Sequence, residues 1–105
     1  SRNSDTGHIL ENISYLELIR RGDKVYVGKV ESEEVDFVAM NSKGIIYYQV
    51  AATVREESTL LREIRPLQKI TDHYPKYIIT LDEDPDADYD GIRRINALQF
   101  LLGEE

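Results

Sequence analysis

The sequence predicts an α/β domain of the α+β kind, with a mixed central sheet of about four to five strands flanked by helices in the order α-β-β-β-α-β. Three observations predict it. Apolar residues recur with helical spacing over residues 7–22, three short segments with strand-like alternation follow within 25–52, and a second helical pattern over 55–70 leads into the apolar run YIITL at 77–81.

Taken in order, Asp5 or Thr6 is expected to cap the first helix, whose core stripe reads as Ile9, Ile13, Leu16 and Ile19, widened by Leu10 and Leu18. Arg20 and Arg21 suit the negative end of the helix dipole, and Gly22 supplies the terminator. Residues 25–30, 35–40 and 45–52 read as strands, the last two joined by the turn NSKG, and an antiparallel meander is the simplest pairing. In the second helix Leu60, Leu61, Ile64, Leu67 and Ile70 form the stripe, and Pro66 predicts a kink or a restart. The strand at 77–81 follows a crossover helix and should run parallel to its neighbour. A short strand at 92–95 and a last helical turn or two at 97–102 complete the chain.

A length of 105 residues fits one domain, read as 7–103, with residues 1–6 as a disordered N-terminal tail and 104–105 as a short C-terminal one. Cysteine is absent, which removes disulfides and thiolate zinc sites and points to a reducing cytoplasmic setting. No apolar run reaches the ~20 residues of a membrane span, so no membrane partner is expected. The chain opens on Ser1 and its one methionine is Met40, so a fragment of a longer protein is expected. The net charge is -7, but six acids lie in one loop (Asp82, Glu83, Asp84, Asp86, Asp88, Asp90) and two at the end (Glu104, Glu105). Setting these eight aside leaves 12 acids against 13 bases, so a local basic face is neither indicated nor excluded.

Asp36 is the residue that asks for a function. An ionised carboxylate between Val35 and Phe37 needs a partner, a metal or a raised pKa. Alternation puts Asp36 and Val38 on one strand face, Val35, Phe37 and Ala39 on the other, and Tyr47, Gln49 and Ala51 together on the next strand, where a hairpin lets Asp36 face Gln49 and Ala51. A carboxylate on one strand, an acidic-x-lysine triplet on the next and a glutamate from the preceding helix make a Mg²⁺-dependent nuclease site. Hard cations take oxygen ligands, and the lysine orients the attacking water and stabilises the charged phosphorane. Glu11 is the candidate helical acid. Gln49 stands where the second carboxylate belongs, and Ala51 where the lysine belongs. Glu11, Asp36, Gln49 and Ala51 therefore read as a degenerate remnant without a catalytic residue, with Glu11 and Asp36 the only cation ligands left.

The series LENISYLELIRRG, VYVGKV, EVDFVA, IIYYQVA, LLREIRPLQKI, DHYPKYIITLDED and GIRRINALQFLL resembles the C-terminal domain of unknown function in a large group of bacterial and archaeal AAA-type ATPases, over about residues 7–102. The resemblance implies a restriction-endonuclease-like fold of the PD-(D/E)xK type. Some members of that family carry glutamate-x-lysine at the position of Gln49-Val50-Ala51, and a Gln-Val branch also exists. It also implies an N-terminal P-loop ATPase module, which would bind ATP and be this domain's own partner. No GxxxxGK[ST] loop occurs in these residues.

The expected function is thus a non-catalytic, nuclease-like interaction or regulatory domain that needs no cofactor of its own. Two alternatives are a Mg²⁺-dependent nuclease with a migrated lysine, Lys29 or Lys43, and a domain that binds nucleic acid without cutting it. Minor motifs have structural explanations. Asp86 to Gly91 matches half an EF-hand loop, but the twelfth position is Ala97 and the flanks are not paired helices. His8 shares a helical face with Glu11 but has no second histidine nearby, His73 being far along the chain. Arg20-Arg21 and Arg93-Arg94 could meet phosphates, though a helix end and a sheet edge account for them. Tyr47, Tyr48, Tyr74 and Tyr77 could stack on bases, yet core packing is the commoner use.

Overall fold

In the computed structural model, which describes residues 4–105, helix α1 (Asp5–Arg20) begins one residue after Ser4. The Ser4 hydroxyl accepts the Gly7 amide at 3.2 Å, so Ser4 is the cap in place of Asp5 or Thr6. Residues 4–6 consequently belong to the domain and not to a tail; residues 1–3 of that expected tail lie outside the described residues. The helix closes as a Schellman motif. Gly22 sits at φ 88°, its amide donates to the Ile19 carbonyl, and the Asp23 amide reaches back to Leu18.

The face that α1 turns to the sheet is not the one expected. Gly7, Leu10, Ser14, Glu17 and Leu18 are buried, whereas Ile9, Ile13, Leu16 and Ile19 are exposed. The helix is apolar on both sides, so periodicity alone does not choose between them. Small Gly7 and Ser14 let the helix approach the strands closely, and Glu17 takes part in an ion-pair network that ties α1 to the chain end.

Strands β1 (Lys24–Val30), β2 (Glu33–Asn41) and β3 (Gly44–Val50) form the expected antiparallel meander. Helix α2 (Glu57–Gln68) carries the chain across to β4 (Lys76–Thr80), which pairs parallel to β3. Pro66 lies in the last turn of α2, where the helix neither restarts nor breaks before Gln68. Beyond β4 come β5 (Ala87–Tyr89), β6 (Ile92–Asn96) and α3 (Ala97–Leu101), which Asn96 caps through the Leu98 amide. The six strands lie in the order β1-β2-β3-β4-β6-β5, with β6 parallel to β4 and β5 antiparallel to β6. The acidic loop thus holds a sixth strand that the sequence reading lacked. Asp90 at φ 54° and Gly91 at φ 93° close a two-residue turn between Tyr89 and Ile92, the Asp-Gly signature of a tight hairpin.

Each face of the sheet has its own core. On one side Leu10 and Leu18 of α1 and Phe100 of α3 pack on Phe37, Ala39, Tyr48, Val50, Tyr77, Ile79 and Ile95. On the other, Ile64 and Leu67 of α2 pack on Val35, Ala51, Val54, Ile78 and Ile92. Tyr48 and Tyr77 stack at 5.6 Å inside the first core, which is their use here.

The expected 104–105 tail is likewise part of the domain. Arg21 pairs with Glu105 at 2.6 Å, donates to the Phe100 carbonyl, stacks over the Phe100 ring at 4.5 Å and meets Glu17 at 2.8 Å. Hydrogen bonds from Arg20 and Arg21 hold the Glu17 carboxyl down to about 2.

Strand alternation fails at Asp36. Tyr26 pairs with Val38, but Gly28 pairs with Val35, so two steps along β1 match three along β2. The extra residue is a β-bulge covering Asp36 and Phe37. It sends Val35 to the α2 side while Phe37 and Ala39 stay on the α1 side, which corrects the expected sharing of one face by Val35, Phe37 and Ala39. Gly28 lies opposite the bulge, and a Cβ there would stand 2.6 Å from Val38 Cγ2 and 3.1 Å from Val35 Cβ. We expect Gly28→Ala to destabilise the domain by about 1–3 kcal/mol, because both valines are stiff at χ1 and cannot swing aside. Urea unfolding checks this, and an unchanged midpoint contradicts it.

Candidate functional site

The bulge re-aims Asp36 toward β3, and the regular β2–β3 ladder, which runs from Asn41 and Gly44 to Phe37 and Tyr48, gives way there to side chains. The Asp36 amide donates to Gln49 Oε1 at 2.8 Å, and the Val50 amide donates to Asp36 Oδ2 at 2.9 Å. Two backbone donors that have lost the ladder are thereby satisfied by side-chain oxygens, each bond contributing about 1 kcal/mol net and more where the acceptor is charged. Gln49 uses its other end as well, Nε2 donating to the Glu63 carbonyl of α2 at 3.1 Å. Both residues are buried, and Gln49 connects the sheet to the helix across the second core.

Of the four residues singled out in the sequence, the structure brings Asp36 and Gln49 into direct contact. Ala51 points into the apolar core with Val35, Ile64 and Leu67, so the position of a lysine is filled with packing. Glu11 lies half-buried on α1. The two lysines considered as substitutes lie elsewhere. Lys43 occupies the turn at the far end of the β2–β3 hairpin, and Lys29 is exposed on β1 opposite Glu34.

One residue escaped the sequence reading. Glu63 of α2 is 1% exposed, and neither carboxyl oxygen has a hydrogen-bond partner. Burial pushes its pKa up to about 7, the nearby Asp36 carboxylate and more weakly Glu11 adding to the rise, with Arg62 opposing it. The signal was present, since Glu63 falls on the apolar stripe of α2 beside Ile64 and Leu67. Glu63, Asp36 and Glu11 therefore share one electrostatic neighbourhood around Gln49. Among the described residues, no group of three or more histidines or acids is placed to hold a metal ion. Next to Gln49, Arg62, Arg65, Pro66, Glu33 and Glu34 line an open cleft of about 290 Å³.

The remaining charged motifs are engaged inside the domain. Asp88 accepts the Gly91 amide at 2.7 Å in the hairpin turn, and Asp82, buried, accepts the Val54 amide at 3.0 Å. Arg94 bonds the Tyr89 hydroxyl at 2.9 Å, and Arg93 stacks on Tyr77. Tyr47 donates to Asp72, and burial followed by that carboxylate raises its hydroxyl to about 12. Tyr74 is half exposed and lies against Gly44. His8 and His73 are both exposed, on α1 and in the loop before β4.

Because Glu63 binds its proton more tightly folded than unfolded, its contribution to stability is full below about 4.5 and is lost as pH rises toward about 7. The loss is on the order of 3 kcal/mol, at 1.36 kcal/mol per unit. Glu63→Gln should remove this slope and unfold at higher urea than the wild type at pH 8. A wild-type midpoint that does not fall between pH 5 and 8 would rule this out.

No family model matches the chain, and no solved structure matches it. A Haemophilus influenzae protein, described as an uncharacterized protein, is similar, with 41% identity over 93 residues. The match covers 89% of this chain and 22% of the relative, so the chain spans about a fifth of the length of the curated protein it matches.

Proposed function

We propose that the chain is a restriction-endonuclease-like domain that has lost its chemistry and serves as an interaction or regulatory module of a longer P-loop ATPase. Supporting the ancestry are the α-β-β-β-α-β order, a β2 that runs against β1, β3, β4 and β6, and the position of Asp36 and Gln49 where the β2–β3 ladder splits. The ATPase context is supported by the resemblance of the sequence segments and is compatible with a relative several times longer. ATP would belong to that other module.

One observation carries the non-catalytic reading. The two positions that should supply an acid and a lysine are spent on structure. Gln49 has its oxygen on the Asp36 amide and its nitrogen on the Glu63 carbonyl, and Ala51 is walled into the core. A water-activating ammonium has no room at Ala51.

A second reading, a Mg²⁺-dependent nuclease, is favoured by Glu63, whose buried carboxylate adds an acid near Asp36 from α2. The two readings separate on a supercoiled plasmid with Mg²⁺ or Mn²⁺. The expected result is no nicking by the wild type, with Asp36→Ala destabilised by about 1–3 kcal/mol because the Val50 amide loses its buried acceptor. Cleavage that Asp36→Ala abolishes overturns the proposal, and a salt-sensitive gel shift without cleavage moves it toward nucleic-acid binding.

A further inference from the structure

We draw no further inference here: the strongest candidate, the buried Glu63 carboxyl on α2 next to the split between β2 and β3, belongs to the site already described around Asp36 and Gln49.

Discussion

The exchange of side chain for backbone between Asp36 and Gln49 is the constraint around which the sheet is arranged. The bulge in β2 removes a pair of ladder bonds, and two buried amides would be left without acceptors if Gln49 Oε1 and Asp36 Oδ2 did not take them. An orphaned buried donor costs about 1–3 kcal/mol, so the split is tolerable only with both side chains in place. Gln49 then passes the constraint to α2 through the Glu63 carbonyl, fixing the helix over the second core. A neutral amide suits this work better than a carboxylate would, because it supplies an acceptor and a donor at once and adds no further acid to the neighbourhood of Asp36, Glu63 and Glu11.

The buried acids act in opposite senses. Glu17 is held ionised by Arg20 and Arg21, and its contribution fades only as pH falls through about 4.5 toward 2. Glu63 is held toward its neutral form by burial and by Asp36, with no hydrogen bond to either oxygen. The first network closes the α1–α3 side of the sheet with matched partners. The second leaves an unmatched acid in the core on the α2 side, next to the split strands. Such a group lowers stability at neutral pH, and its retention there sets this corner apart from the rest of the domain.

Much of the fold was legible in the sequence where patterns were unambiguous. The meander and the parallel crossover follow from short alternating segments separated by a helix, and the Schellman end of α1 follows from Gly22. The misses have separate causes. The face of α1 could not be read because both faces are apolar, and the choice was made by tertiary packing of Gly7, Ser14 and Glu17. The strand β5 was hidden by its acidic composition, although Asp90-Gly91 carried the turn signal. The bulge left no mark in the sequence, since an extra residue in β2 is visible only against the pairing of Gly28. At the site, the Asp36–Gln49 pairing was legible from strand order, whereas Glu63 required noticing a charge on a core stripe.

The two edges of the sheet share one property. On one side the outermost strand β5 is three residues long, follows Pro85 and carries exposed Asp88. On the other, β1 carries exposed Lys24 and Lys29 and lies against the bulged strand, whose local twist spoils a straight row of donors and acceptors. Short, charged or twisted edges resist strand addition. A domain built this way is guarded against growing into a continuous sheet with its neighbours in a crowded cell, and its associations are steered to side-chain surfaces, where a partner is chosen by shape instead of by main-chain pairing that any strand could offer.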